Sequence, residues 1–87
     1  MKNRIVRFNN HGGPEVLKLI DEDIKEPKDD EVRINVKALG LNQAEVMLRE
    51  GRYVASPNFP ARIGIEASGI IDSIGNSVSS FKKGDSV

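Results

Sequence analysis

The clearest periodicity in the chain runs from Glu31 to Leu39. Val32, Ile34, Val36 and Ala38 alternate there with Glu31, Arg33, Asn35 and Lys37, without exception until Leu39. Successive side chains of a strand point to opposite faces, so this run predicts a strand with one wet face and one face on a core. Asn3 to Phe8 alternates more loosely through Ile5, Val6 and Phe8 and predicts a short strand. His11-Gly12-Gly13-Pro14 breaks it, with two glycines able to supply positive φ and a proline that fixes its own. Val16 to Ile24 resumes an extended pattern, and the two runs are expected to pair antiparallel across that turn. Lys25 to Glu31, charged and proline-bearing, reads as a solvated connector.

Gly40-Leu41 ends the strongest strand. Asn42 then precedes a helical stretch, Gln43 to Glu50, in which Ala44, Met47 and Leu48 share one face. Glu45 sits three residues after Asn42, the spacing of a capping box, and Gly51 is a natural stop. Two turns of helix are too short to stand alone. Arg52 to Arg62, with Pro57 and Pro60, predicts an irregular loop. Gly64 to Ile74 predicts a strand kinked at its glycines, with a bulge at Gly69. Gly75-Asn76 and Lys82 to Asp85 read as turns, and Val78 and Phe81 between them as buried. Val87 starts a further strand, and the pattern is expected to continue beyond it. The fold class is therefore mainly β with one short helix.

Composition narrows the picture. At 87 residues the chain is one domain at most. A chain this short buries only about 60% of the surface it exposes unfolded, so a thin core is expected. It has no cysteine and one histidine, which excludes disulfides and thiolate metal sites and leaves carboxylates as the only plentiful ligands. The missing stability is expected to come from partner subunits or from further chain. Thirteen basic residues balance thirteen acidic ones, so there is no surplus to attract a phosphate backbone, which argues against nucleic acid. No apolar run is long enough to span a membrane, and the start lacks the apolar core of a signal peptide. A cytoplasmic location is the expectation.

Familiar catalytic templates miss. There is no G-x-G-x-x-G. Gly64 to Gly69 fits the first half of a phosphate-binding loop, but Ile70-Ile71 stands where a lysine and a hydroxyl residue are required. Ser68 lacks the glycine two residues earlier that a nucleophile elbow needs. His11, set in a Gly-Gly-Pro turn, reads as a polar turn residue. Asp29, Asp30 and Glu31 lack the spacing of a calcium loop.

One ordered combination remains. It runs His11-Gly12-Gly13-Pro14-Glu15-Val16-Leu17, Ala38-Leu39-Gly40-Leu41-Asn42, Arg49-Glu50-Gly51-Arg52-Tyr53 and Gly64-Ile65-Glu66-Ala67-Ser68-Gly69-Ile70-Ile71. It closes with Ile74-Gly75-Asn76-Ser77-Val78, Phe81-Lys82-Lys83-Gly84-Asp85 and Val87. In this order and spacing the chain resembles the N-terminal GroES-like catalytic domain of medium-chain dehydrogenases/reductases, and within them the quinone oxidoreductase (ζ-crystallin-like) branch. The resemblance covers nearly the whole chain. It implies a partial GroES-like β-barrel with one short helix at about 43–50, part of an α+β domain when complete. Residues 1–87 are then the N-terminal portion of an alcohol dehydrogenase-type catalytic domain.

The same resemblance carries expectations about chemistry. Zinc-dependent members of the superfamily have a cysteine where this chain has Asn42, and Gly-His-Glu where it has Gly64-Ile65-Glu66. An amide is a poor zinc ligand and an isoleucine is none, so a catalytic zinc is not expected. A lobe for a structural zinc would lie downstream and stays an open matter. Without that Lewis acid, reduction of quinones or activated alkenes is favoured, since hydrogen-bond donors suffice to stabilise the developing oxyanion.

Asn42 matches an asparagine beside the nicotinamide and is expected to hydrogen-bond cofactor or substrate, with plain helix capping as the alternative. Tyr53 matches a pocket tyrosine able to stack on substrate or donate its phenolic proton. Its alternative is a half-buried aromatic with a wet hydroxyl. Met47 departs from the second tyrosine often found in the branch, fills space without donating, and shifts the expected substrates towards apolar compounds. Ile65 contributes wall only. Glu66 matches the acidic residue of Gly-x-Glu and is expected to pair with an arginine near the pocket. Gly64, Gly69, Gly75 and Gly84 are backbone devices.

The resemblance further implies NADPH or NADH in a cleft shared with a Rossmann domain, which supplies the pyrophosphate site. None of that domain lies within residues 1–87, so the isolated chain is expected to bind no cofactor and to be inactive. The expected partners are a small quinone or enone and the Rossmann domain of the same protein, with a homodimer as one assembly. Two other readings stay open: an alcohol dehydrogenase-like relative of another substrate class, and a non-catalytic GroES-like binding or oligomerisation module.

Overall fold

The computed structural model describes residues 2–54 and 56–87; Ala55, in the expected loop, and Met1 lie outside the described residues. The chain divides into two compact units, Met1–Ile24 with Leu41–Ile65, and Lys25–Gly40 with Glu66–Val87.

The first unit is built on a three-stranded antiparallel sheet of order β2-β1-β4, with β1 Lys2–Phe8, β2 Lys18–Asp23 and β4 Ala61–Arg62. Strands β1 and β2 pair as expected, with Ile5 opposite Ile20. Charges hold the outer register: Lys2 pairs with Asp23 at 2.8 Å, and Glu22 bridges Arg7 at 2.6 Å and Arg62 at 3.4 Å across all three strands. The buried apolar residues of this unit are Phe8 and Ala61, which face each other in the β1–β4 register.

Strand β4 corrects the expectation of an irregular loop over 52–62. Two residues carry no periodicity, and the backbone pairing of Arg7 with Arg62 and Phe8 with Ala61 defines the strand. A cis Phe59–Pro60 peptide leads into it. A second correction falls before β2. Pro14–Val16 form a 3-10 turn with proline at its start, so Val16 is not extended. Gly13 is itself extended, at φ −77° and ψ −173°, and Gly12 does not take positive φ either. A Cβ on Gly12 would stand 2.7 Å from Val16 Cγ1, whereas one on Gly13 would meet only the carboxyl end of the exposed Glu15 side chain, which can step aside.

The helix α1, Gln43–Glu50, has the predicted bounds. It ends in a Schellman arrangement: Gly51, at φ 82°, donates to Leu48 O, and Arg52 donates to Met47 O at 2.8 Å. Asn42 has the extended backbone of an N-cap, but its side chain makes no cap hydrogen bond. The capping box is therefore not formed. Glu45 turns inward instead: Glu45 and Arg49, one turn apart, are each only 9% exposed, whereas Ala44, Met47 and Leu48 are half-buried.

The second unit pairs β3 Val32–Leu39 with β5 Ala67–Ile74, antiparallel. Val32 faces Ile74 and Leu39 faces Ala67, but the ladder shifts register twice between them. Asp72 is the extra residue on β5, between the Arg33–Ser73 and Ile34–Ile71 pairs. Lys37 is the extra residue on β3, between Val36–Gly69 and Ala38–Ser68. The bulge expected at Gly69 thus lies opposite it. What Gly69 provides is closeness, because a Cβ there would collide with the Asn35 carbonyl oxygen and stand 2.8 Å from Ile34 Cγ2.

The expectation that β3 lays one complete face on a core is not met. Val36 is 46% exposed, Ala38 is exposed, and Ile71 on β5 is the buried large apolar residue of this unit. The two irregularities interrupt the alternation that would have kept one face continuous. Strand β5 also begins at Ala67 rather than Gly64, since Gly64 takes φ 121°, outside the extended region.

Past β5, Gly75 fits against the Lys28 and Asp29 carbonyls with no room for a Cβ. Its N–H donates to Glu31 O at 2.8 Å, and Ser77 N donates to Asp29 O at 2.9 Å. The Lys82–Asp85 turn forms as expected. The segment after it returns along β5, with Ser86 bridging Ile70 and Gly69 exchanging two hydrogen bonds with Val87. Val78 is half-buried, but Phe81 stays 46% exposed in the irregular stretch between the turns, contrary to its expected burial. Among the described residues no helix is long and apolar enough to cross a membrane.

Candidate functional site

Of the anticipated site residues, Asn42, Met47, Tyr53, Gly64 and Ile65 belong to the first unit, the first two of them at the start of or on α1. Asn42 stands at its N-terminus and Met47 on its half-buried side. Tyr53 follows two residues after the Gly51 stop and is 42% exposed, which leaves its ring accessible. Ile65, 66% exposed, follows Gly64 at the end of the same unit, and a Cβ added to Gly64 would meet nothing within 4 Å among the described residues beyond its chain neighbours.

Arg49 fixes the base of this arrangement. Its Nη1 donates to Gly12 O at 2.8 Å, while Gly12 N donates to Arg49 O at 3.0 Å. His11 adds a third tie, with Nδ1 3.2 Å from Leu48 O; a carbonyl only accepts, so this contact needs the Nδ1–H tautomer. The imidazole also meets Phe59 edge-on at 5.2 Å between centroids, and Phe8 meets Phe59 at 5.6 Å. His11 is thus a helix-terminating and aromatic-cluster residue rather than a plain turn residue. Arg52 donates to Glu50 at 2.6 Å, a hydrogen bond that holds the Glu50 carboxyl below the usual carboxylate range.

The second unit holds Glu66 and Gly69. An open depression of about 290 Å³ lies at the adjoining ends of β3 and β5, lined by Ala38, Leu39, Gly40, Glu66, Ala67 and Ser68. Glu66 is its one charged group. Its carboxyl lies so close to Gly40 that an added Cβ there would collide with it. Lower on the sheet, Arg33 donates through Nε to Asp72 at 2.8 Å and through Nη1 to Glu26 at 3.1 Å. Those two carboxylates, Asp72 first, raise the guanidinium pKa further.

Sequence reasoning missed two features of these surroundings. Glu45 and Arg49 form the buried side of α1, and the Glu45 Oε1 atom meets no partner among the described residues. The capping-box reading of Glu45 does not foresee its burial, and nothing local marks Arg49 as buried. The depression beside Gly40 was the other, and only the tertiary approach of Glu66 reveals it. As for metals, among the described residues no group of three or more His, Asp or Glu side chains could hold an ion.

The mostly β architecture, with one two-turn α-helix among the described residues, is that of a GroES-like domain. The family model described as the alcohol dehydrogenase GroES-like domain matches residues 28–87, and the chain belongs to that family. Among curated relatives, the quinone oxidoreductase of Homo sapiens is 45% identical over 85 residues, covering 97% of this chain and 26% of the relative. Among solved structures, Escherichia coli quinone oxidoreductase complexed with NADPH superposes with a TM-score of 0.92 at 34% identity, covering 97% of this chain and 26% of that one. Human synaptic vesicle membrane protein VAT-1 homolog-like protein superposes at 0.93 with 38% identity, covering 99% and 27%. The chain therefore spans about a quarter of the length of the curated relatives it matches.

Proposed function

We propose that residues 1–87 form the substrate-side portion of the catalytic domain of an NAD(P)H-dependent quinone or enone oxidoreductase that works without a catalytic zinc. The observation that carries this reading is the 45% identity to a quinone oxidoreductase across 97% of the chain. The donor chemistry supports the zinc-free part. Positions 42 and 65 hold an amide and an isoleucine, a set that does not fit zinc.

The nicotinamide, when bound, supplies the hydride. Asn42, at the start of α1, orients the nicotinamide or the substrate through its amide, and Tyr53 packs on the acceptor and donates from its phenol. Met47 and Ile65 form apolar wall. Glu66, Gly64 and Gly69 serve as structural and backbone devices, each within its own unit. The pyrophosphate is, on this reading, held by a Rossmann domain of the same protein, since the chain covers only 26% of the NADPH-bound relative it superposes on. On this reading the protein works in the cytoplasm on small quinones or enones, and the 87-residue chain alone binds NADPH too weakly to measure.

The test is an NADPH-oxidation assay of the two-domain protein with a panel of quinones, before and after exhaustive chelation. Quinone-dependent turnover that survives chelation is expected. Turnover that disappears with the metal and returns with zinc would overturn the zinc-free mechanism, and no turnover with any quinone or enone would overturn the substrate class.

A further inference from the structure

We propose that Gly40 is a specificity-determining residue. Its missing side chain lets the Glu66 carboxylate lie stowed against the main chain, which keeps the neighbouring depression open to a neutral, apolar-bodied acceptor. This inference rests on the reading of the site as substrate-facing.

The geometry is local to the second unit. A Cβ on Gly40 would collide with Glu66 Oε1 and Cδ and stand 2.6 Å from Cγ. Three successive atoms are involved, so a swing of the carboxyl tip gives no relief and the torsions nearer the backbone must change. Backbone conformation does not require glycine here. The positive-φ glycines are Gly51, Gly64 and Gly84, so an alanine at position 40 meets no left-handed strain. Glycine at this position answers to Glu66.

The direction of the effect follows from the walls. The depression is lined by Ala38, Leu39, Gly40, Glu66, Ala67 and Ser68, and only Glu66 carries charge. The Ala38–Ser68 and Leu39–Ala67 pairs of the ladder close one side of it. A Glu66 side chain driven off Gly40 moves into the open volume. It narrows that volume and brings a carboxylate to a surface otherwise made of small and apolar groups. A neutral quinone then meets less room and a carboxylate in its apolar wall.

The test is a double-variant cycle in the two-domain protein, using Gly40→Ala, Glu66→Ala and the pair. For a neutral quinone, Gly40→Ala is expected to raise KM roughly fivefold or more with kcat and the NADPH KM little changed. In the Glu66→Ala background the same substitution is expected to leave the quinone KM unchanged, since the colliding atoms are gone. An equal rise in both backgrounds, or none in either, overturns the proposal. Thermal midpoints of the same four proteins provide a second readout: Gly40→Ala lowers the midpoint only where Glu66 is present, and equal lowering in both backgrounds refutes the steric contact. If the unaltered protein reduces no quinone, the substrate reading fails by itself, and the midpoints still decide the contact.

Discussion

Arg49 and Gly12 are bonded to each other twice, once through the Arg49 guanidinium onto Gly12 O and once through Gly12 N–H onto Arg49 O. The turn after β1 and the last turn of α1 are thereby one unit. Arg49 is 9% exposed, and its guanidinium donates to the Gly12 carbonyl away from bulk water. Replacing it with alanine removes a charged hydrogen bond to a carbonyl that then stays largely unsatisfied, at a cost of about 2–3 kcal/mol. Arg49→Ala is expected to lower the urea midpoint accordingly, while Arg52→Ala, at an exposed ion pair, shifts it by under about 1 kcal/mol. Equal shifts for the two would refute the tie.

Two glycines separate crowding from backbone strain. At Gly75 an added methyl meets the Lys28 and Asp29 carbonyls, and main-chain atoms cannot step aside cheaply. At Gly64 an added Cβ would meet nothing within 4 Å among the described residues, and the penalty comes from φ 121°. Gly75→Ala is expected to cost about 2–3 kcal/mol or more, and Gly64→Ala about 1–2 kcal/mol. Chemical denaturation of the two variants side by side provides the check, and a Gly64 variant worse than the Gly75 variant contradicts it.

The Lys82–Asp85 turn carries a pH dependence. Asp85 accepts from the Lys82 backbone N–H at 3.0 Å and pairs with the Lys82 side chain at 3.2 Å, and in that order these lower its pKa. A carboxyl whose folded pKa is depressed contributes stability that is fully present above its unfolded value of about 3.9. That contribution is lost as pH falls through the lower folded value. The protection factor of the Lys82 amide is therefore expected to fall only in acid below that range. In Asp85→Asn the acid-dependent step should vanish; if it persists, another group is responsible.

Asn42 allows capping to be tested against catalysis, because its side chain makes no cap hydrogen bond to α1. Asn42→Ala is expected to change the helix little and to lower kcat/KM in the two-domain protein by roughly a hundredfold, the loss typical of one oriented donor. Tyr53→Phe should cost less, about tenfold, if packing is its larger role. Circular dichroism and steady-state kinetics on the same samples make the comparison. Loss of helix signal in step with activity would return Asn42 to a capping role.

Much of this fold is legible in the sequence where a single residue type is almost obligatory. Gly51 and Asn42 bracket α1, and the strict alternation of 32–38 marks β3, so both elements stand where expected. Features set by tertiary approach are not legible. Ala61 and Arg62 become a strand only because β1 runs beside them. Glu45 and Arg49 look like exposed helix charges, and nothing local announces that Arg49 has a carbonyl to reach across 37 residues. The candidate site divides in the same way. Asn42, Met47, Tyr53, Ile65 and Glu66 are named by position in a recognisable order, whereas the partner of Gly40 emerges only when β3 and β5 are brought side by side.

The two irregularities of that ladder have a joint consequence. Asp72 is surplus on one strand and Lys37 on the other, so the pairs at both ends, Val32 with Ile74 and Leu39 with Ala67, are the same pairs an unbroken ladder would make. A plain register with Ile34 opposite Asp72 and Val36 opposite Ile70 is thus nested inside the same end points, one residue away. Neither the connector before β3 nor the turn after β5 can choose between the two. The choice falls to the middle of the strands, where Ile34 gains Ile71 as its neighbour, Asp72 is released to Arg33, and Gly69 lets the Asn35 carbonyl come close.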